Sequence, residues 1–461
     1  MGSTNMLLFF ILLVCSMEGS PAQDDSCTLD KVKIAFVHHA LDMGGVERQI
    51  ETTWLSIDHQ QFDGAVVLYQ RLGGWATKFE SFGLRAVLFP IFDHHGALLP
   101  GHQEARKDMV RFLSEHHVAH VWYGGGALGS FSTFGIEVAS AAGLPVIQNL
   151  AWNVFTVDLS VSVVVVECDE TEELHRENLR ERFSVDEDIL NRLGVTQASE
   201  QQVILDSGFQ FVSENANLSI EGFQTQLERS QHSRVPLVVR INPGVNLSRF
   251  DLAIPQLARV RAEARSSDRI IVGRLSRLVP EKDPETFVKA AALLKHRDDL
   301  LFRLWGDGPE RRKLEEMRLN LGLQDRLELM GSTEQPELAL AAMDIFAYPT
   351  TGESVGWVVL EAMAMELPVI STAVGAVPSF VRHGENGFLM EKVQDEEILA
   401  SLIEVLADSQ ELRDELARGA REFVERECNL EAFAASYTSL YRAVGEKRRK
   451  KLKGVSDNPV S

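Results

Sequence analysis

The chain has 461 residues, 45% of them hydrophobic and 25% charged, with a formal net charge of −21. This is the composition of a folded protein of two or three domains, and the acidic balance argues against non-specific binding to nucleic acid or an anionic membrane while leaving room for a local basic site that takes a phosphate. The cysteines Cys15, Cys27, Cys168 and Cys428 stand far apart with no C-x-x-C pair, which excludes a zinc ribbon or a disulfide framework and leaves at most one bridge of unreadable partners.

Residues 6–17 (MLLFFILLVCSM) form a continuous apolar run. A bilayer span needs about 20 apolar residues, so this run is short for one. The small residues Ser20, Pro21 and Ala22 follow it like a cleavage site. The pattern predicts a signal peptide over 1–22 and places the chain in the secretory pathway (ER or Golgi lumen, or secreted). The preceding MGSTN has no Lys or Arg, so a short uncleaved anchor is the alternative; without a real signal, the cytosolic face of a membrane is expected. Asn217 and Asn246 each begin an N-x-S triplet, which adds slight support for a lumenal location.

From residue 31 short apolar runs alternate with amphipathic stretches. Strands are predicted at 33–37, 66–69, 86–89, 118–123, 146–149, 163–166 and 209–213. A helix follows Gly44 and Gly45, with Ile50, Trp54 and Ile57 on one face. Residues 167–206 are rich in Glu, Asp and Arg and read as an inserted helical segment with a solvated face. After a linker around 240–257, which carries Pro243, Gly244 and Pro255, the rhythm restarts. Strands are predicted at 270–275, 301–305, 327–330, 345–348 and 369–372. The helix at 310–320 carries the stripe Leu314, Met317 and Leu321, and Gly322 stops it. Strands alternating with helices imply parallel sheets with helices on both faces. Two such domains are expected, 31–245 and 246–428, with a ligand in the cleft between them. A last helix at 429–445 carries Phe433, Tyr437, Leu440 and Val444, and a basic tail at 446–461 is expected to be solvated, with a peripheral membrane contact as its alternative.

Three stretches carry chemistry. In "VGRLSRLVPEKD" (272–283) a strand ends, Arg274 leaves it, and Lys282 follows eight residues later. Two cations there suit a diphosphate, Arg as a planar fork and Lys as a point charge; an ordinary solvated loop has the same composition. In "WGDGPE" (305–310) Gly306 and Gly308 permit a tight turn and a close backbone approach; a simple strand-to-helix turn has the same composition. In "GESVGWVVLEAMA" (352–364) Glu353 and Glu361 bracket a strip with no charge. Glu353 is placed at a loop-to-helix junction capped by Ser354, and Glu361 two turns into the helix. At about 1.5 Å per residue the two lie about 12 Å apart. Carboxylates there suit the hydroxyls of an extended ligand, and free helix N–H groups suit an anion between them. Solvated ends of a buried strip are the bland alternative.

In this order Arg274 with Lys282, the turn Gly306 to Pro309, and Glu353 with Glu361 resemble the retaining glycosyltransferases of family four. "INPGV" (241–245) with Phe250 resembles that family's interdomain linker, and "GGVER" (44–48) its N-terminal glycine loop. The resemblance runs from about 31 to 445 and is strongest over 268–390. It implies a GT-B fold: α/β, two Rossmann-like doubly wound domains facing a central cleft. It also implies that Glu361 holds the ribose of a UDP- or GDP-sugar and that Glu353 contacts the donor sugar. Arg274 and Lys282 then neutralise the departing diphosphate, with Gly44, Gly45, Gly306, Gly308, Ser354, Val355 and Gly356 around the donor. The resemblance implies no metal and no cofactor beyond this co-substrate. Transfer of a hexose with retention is expected, to an acceptor held by the N-terminal domain and left open among glycan, lipid-linked, protein and small-molecule classes. The last helix is expected to cross back to the first domain.

The sequence departs from the family pattern in three places. Ala151 stands where a histidine is usual at the donor sugar, with Gln148, Asn149 and Trp152 as substitutes. Glu366 stands where glycine is usual, and Ala376 and Ser379 replace a common glycine and glutamate. The first departure motivates a rival reading, a catalytically weak or inactive relative that binds a nucleotide sugar or glycan; a phosphorylase-type enzyme is a third. The "GGGALG" at 124–129 matches G-x-G-x-x-G but lacks the acid about 20 residues on that a dinucleotide site wants. Paired histidines at 38–39, 94–95 and 116–117 are poor chelates, since neighbours in a strand point to opposite faces.

Overall fold

The computed structural model describes residues 31–41, 45–123, 129–150, 163–166, 211–212, 237–266, 268–353 and 355–456. The apolar run 6–17, the cysteines Cys15, Cys27 and Cys168, the acidic segment 167–206, Asn217, Gly44, Ala151, Trp152, Ser354 and the glycine run up to 128 lie outside them.

Two parallel sheets organise the rest. The first contains β1 (Val32–Ala40), β2 (Phe62–Arg71), β3 (Arg85–Leu88), β4 (Val118–Tyr123), β5 (Val146–Leu150), β6 (Val163–Val166), β7 (Phe211–Val212) and β8 (Leu237–Arg240). Its order is β3-β2-β1-β4-β5-β6-β8-β7. The second contains β9 (Ile270–Leu275), β10 (Leu300–Trp305), β11 (Leu327–Gly331), β12 (Ile345–Tyr348), β13 (Val369–Thr372) and β14 (Gly387–Met390), in the order β11-β10-β9-β12-β13-β14. β8 and β14 are not among the predicted strands. Each is four residues long, and β8 runs into the stretch read as the linker.

Both faces of each sheet are covered, which is why the strands read as nearly continuous apolar runs. Ile34 and Phe36 join the core on one face of the first sheet, and Ala35 and Val37 the core on the other. In the second sheet Ile345 and Ala347 face one core, Phe346 and Tyr348 the other. Strand order reverses between β1 and β4 and between β9 and β12. At such a switch point the loops leaving the two strands diverge and open a crevice at their carboxyl ends. His38 and Arg274 stand at the ends of β1 and β9.

The helices that position the site are α1 (Gly45–Ser56), α2 (Ala76–Ser81), α3 (His102–Ser114), α4 (Gly129–Ala141), α5 (Pro255–Arg265), α6 (Pro284–Leu293), α7 (Arg311–Asn320), α8 (Pro336–Ala341), α9 (Trp357–Ala364), α10 (Val377–Phe380), α11 (Glu396–Asp408), α12 (Gln410–Glu427) and α13 (Leu430–Ser456). In α1 the stripe residues Ile50 and Trp54, with Ile57 just beyond, are buried as their spacing requires.

α13 returns to the first sheet. Its stripe Phe433, Tyr437, Leu440 and Val444 is buried in the same core as Val32, Phe36 and Phe62. The outgoing linker runs beside the returning chain: Val245 N donates to Cys428 O at 2.9 Å, and Asn242 Nδ2 to Glu427 O at 3.1 Å. A Cβ at Gly244 would sit 2.6 Å from Phe433 Cβ, so glycine is needed where the two crossings touch. A polar network fixes the helix register. His120 lies 2.8 Å from Asn149 Oδ1 and 2.6 Å from Tyr441 Oη, and Asn149 Nδ2 donates to Tyr437 Oη at 3.0 Å.

Several expectations change. The basic tail is helical at its start, where α13 continues to Ser456, and it is partly held by protein. Arg448 donates to Ala142 O at 2.9 Å, His116 O at 3.1 Å and Ser114 O at 3.3 Å, and also to Gly143 O. These carbonyls close the last turns of α3 and α4, where unpaired C=O groups favour a cation. Cys428 is a buried free thiol. Adjacent histidines do not all diverge: the rings of His38 and His39 are 4.2 Å apart, because a register shift in β1 between His38 and Ala40 breaks the alternation. His117 is satisfied by Lys33 N at 2.9 Å, and the His116 ring by Phe112 O at 3.1 Å.

Candidate active site

Arg274 leaves β9 fully buried, and its guanidinium faces protein. It donates to Pro349 O at 2.7 Å, to Lys282 O, and to Ser276 Oγ at 3.3 Å, and it lies over the Tyr348 ring at 5.1 Å. Burial lowers its pKa to about 10, so it stays charged at neutral pH. A planar fork suits this task, tying the loops after β9 and β12 to the turn that carries Lys282. The fork expected to face a phosphate is, in this structure, bonded to protein oxygens.

Lys282 comes from a single helical turn, Pro280–Lys282. Its Nζ donates to Gly352 O at 3.0 Å and pairs with Glu353 Oε2 at 2.8 Å. Tyr348 Oη donates to the same oxygen at 2.7 Å. Burial, and then the Glu353 charge, hold the Tyr348 phenol well above its usual pKa, so it remains a donor. Tyr348 was not singled out in the sequence; its signal is a phenol at a strand end, five residues ahead of a carboxylate.

Gly306 and Gly308 have φ of +134° and +154°. Cβ atoms there would strike Ser276 O and Leu278 O, so these glycines let the loop after β10 pack on the loop after β9. Leu278 N donates to Asp307 O at 2.9 Å and Glu310 N to Leu278 O at 3.0 Å. The close approach expected towards a ligand is made, in this structure, to backbone.

α9 begins at Trp357, and its cap is Gly356 at φ +80°. The rise of 1.5 Å per residue thus applies only from 357 onward, and Glu353 stands on a loop. Val355 is buried. Glu361, in the second turn of α9, is 4% exposed. Its Oε1 accepts from Arg48 Nη1, which arrives from α1 in the other domain. Its Oε2 is buried with no partner. Burial pushes the carboxyl above its usual pKa, and Arg48 and Arg249 pull it partly back. Gly45, with Arg48 three residues later, opens α1.

Of the substitutes for the absent histidine, Asn149 is committed to His120 and Tyr437. Gln148 is fully buried, and both ends of its amide lack a partner. Among the described residues no cluster of three or more His, Cys, Asp or Glu could hold a metal ion.

Residues 258–423 match the family model described as glycosyl transferases group 1. The chain is 31% identical over 175 residues to an N-acetyl-alpha-D-glucosaminyl L-malate synthase of Bacillus anthracis, covering 38% of this chain and 45% of that protein. It is 32% identical over 213 residues to a GDP-mannose-dependent alpha-(1-6)-phosphatidylinositol monomannoside mannosyltransferase of Mycobacterium tuberculosis, covering 43% and 54%. The chain spans about half the length of these curated relatives. Among solved structures it is similar to Anabaena HepE in complex with UDP and glucose, with a TM-score of 0.61 at 19% identity over 89% of this chain and 99% of that one. At that identity the likeness speaks for the fold, and the fold is GT-B.

Proposed function

The chain belongs, through residues 258–423, to the glycosyl transferases group 1, and from that premise we propose that it is a retaining glycosyltransferase that moves a hexose from a UDP- or GDP-sugar to an acceptor held by the N-terminal domain. The observation that carries this reading is Glu361, a buried carboxylate with one bare oxygen, on the helix that follows the loop carrying Glu353 of the Lys282–Glu353 pair. A buried polar atom without a partner is costly, and a ribose hydroxyl would supply one. The HepE complex with UDP and the GDP-mannose in the mycobacterial relative's name support a nucleoside diphosphate sugar as donor.

In this reading Lys282 exchanges Glu353 for the diphosphate and meets the charge that grows as the leaving group departs. The buried charge of Arg274 adds to that field from below, and the first N–H groups of α9 face the anion. Glu353, held by Tyr348, keeps a carboxylate for sugar hydroxyls. Gln148 is the group best placed to replace the missing histidine, because its amide is not already engaged. The two cations stand in for a metal.

The test is a screen of UDP- and GDP-sugars on the purified full chain, with Glu361→Ala and Lys282→Ala beside it. One donor is expected to bind and turn over, to lose both in the variants, and to need no divalent ion when EDTA is present. NMR of the product should show the donor's anomeric configuration. Binding without product from any acceptor would favour an inactive relative, and turnover that requires free phosphate would favour a phosphorylase.

A further inference from the structure

We propose that Arg48 is a positioning residue for the donor nucleotide: from the N-terminal domain it holds one oxygen of Glu361 and leaves the other open to the ligand. The inference rests on the reading of Glu361 as the ribose-binding carboxylate.

Arg48 lies in the first turn of α1 and Glu361 in the second turn of α9, 313 residues apart in the chain. Arg48 Nη1 occupies Oε1 of the carboxylate, while Oε2 is buried and bare. A carboxylate gripped at one oxygen has its plane set by the donor, so the lone pairs of the other point in a fixed direction. Two hydroxyls of a ribose are hydrogen-bond donors and match an acceptor presented in this way.

The surrounding charges make Arg48 the counter-ion. Besides Arg48 on α1, the charged groups that act on Glu361 are Arg249 on the linker and Glu337 on α8. Those two are paired with each other, with Arg249 Nη2 and Nε at 2.9 and 3.0 Å from Glu337 Oε2. Glu337 offsets part of the Arg249 field, and Arg48, which touches the carboxylate, is the first counter-ion that holds Glu361 ionised in a buried place. Since Arg48 and Glu361 belong to different domains, the ribose site is complete only when α1 and α9 face each other as they do in this structure. Nucleotide binding and domain closure then draw on the same ion pair.

The experiment is calorimetric titration of UDP and of GDP into the full chain, across about pH 5.5 to 8. Wild type, Arg48→Gln, Arg48→Lys, Glu361→Gln and the double variant Arg48→Gln/Glu361→Gln are compared. Arg48→Gln is expected to weaken binding roughly tenfold to a hundredfold at neutral pH. The loss should grow as pH falls, because Glu361 without its counter-ion takes up a proton more readily. Arg48→Lys should recover part of the affinity, and the double variant should bind no more weakly than Glu361→Gln alone.

Equal affinities of wild type and Arg48→Gln at every pH would overturn the proposal. So would a double variant weaker than Glu361→Gln by the full Arg48 factor, since Arg48 would then act on the ligand independently. Wild type that binds neither nucleotide would overturn the nucleotide-sugar reading and this proposal with it, and that result is seen before any variant is compared. If circular dichroism shows Arg48→Gln unfolded, Arg48→Lys carries the test. It keeps the charge and loses the fork, so several-fold weaker binding is expected and unchanged binding overturns the proposal.

Discussion

Asn149 Nδ2 donates to Tyr437 Oη at 3.0 Å, joining the middle of the first sheet to a helix 288 residues further along the chain. The same amide fixes the tautomer of His120. Asn149 Oδ1 can only accept, so His120 Nε2 donates to it, and Nδ1 accepts from Tyr441 Oη. The ring is therefore neutral, and burial lowers its pKa to about 3. In the unfolded chain a histidine titrates near about 6.5. Between those values the unfolded state binds one more proton, so stability falls as pH falls, by up to about 1.4 kcal/mol per pH unit. The contribution is fully present above the unfolded pKa. Urea unfolding should show that slope in wild type and a flatter one in His120→Gln. At neutral pH the variant should be about 2 kcal/mol less stable, because the network loses a member. Equal slopes would mean that His120 is not the group taking up the proton.

Arg448 makes a second joint between the returning helix and the first domain. It serves carbonyls at the ends of both α3 and α4, and a charged donor at helix C-termini is favoured by the dipole as well as by the bonds. Arg448→Ala should cost about 2 kcal/mol, allowing for the partial exposure of the site. Scanning calorimetry should show Tm lower by roughly 5 °C, and Arg448→Lys should recover less than half, since one ammonium cannot reach both helix ends.

The parallel alternation, the two domains' strand-helix rhythm and the stripe on α13 are legible because burial on one face imposes a period on the chain. Arg274, Lys282, Glu353 and Glu361 are legible by residue type at strand and helix ends. Their partners are not. Nothing local says that Arg274 points inward, since its acceptors, Pro349 O and Lys282 O, are loop carbonyls brought in by folding. Nor does anything near Glu361 announce Arg48, whose contact exists only because two domains meet. The end of α13 is misread for a similar reason: "KRRKKLK" is a solvated tail by composition, and only the helix ends of another layer give Arg448 its partners.

Glu366 shows the opposite case, where a sequence oddity has a plain backbone meaning. It sits at φ +53°, just past the end of α9. Glu366 N donates to Met363 O at 3.1 Å and Leu367 N to Ala362 O at 3.1 Å, the paired bonds of a Schellman ending. Glycine adopts this left-handed conformation without the Cβ clash, and Glu366 is exposed. Glu366→Gly should therefore stabilise the protein by about 0.5–1 kcal/mol, whereas Ala376, at φ −79°, should gain nothing from the same change. Chemical denaturation of the two variants checks the contrast, and a destabilised Glu366→Gly would show that the glutamate side chain carries an interaction outweighing its backbone strain.

Tyr348 divides the handling of the donor sugar from that of the nucleotide. Lys282 and Tyr348 share Glu353 Oε2, at 2.8 and 2.7 Å. If Lys282 turns to a diphosphate, the phenol still holds the carboxylate, and the Arg274 guanidinium over its ring holds the phenol. Tyr348→Phe keeps the ring and removes that donor. Glu353 then gains freedom at the moment when its orientation matters, which should lower kcat by roughly tenfold. Nucleotide affinity should stay within about twofold, because Glu361 and Arg48 are untouched. The buried hydroxyl is also worth about 1 kcal/mol of stability, which unfolding measurements separate from the kinetic effect. A Tyr348→Phe enzyme with unchanged kcat would mean that Glu353 is held by Lys282 throughout, and that the cation never leaves it for the donor.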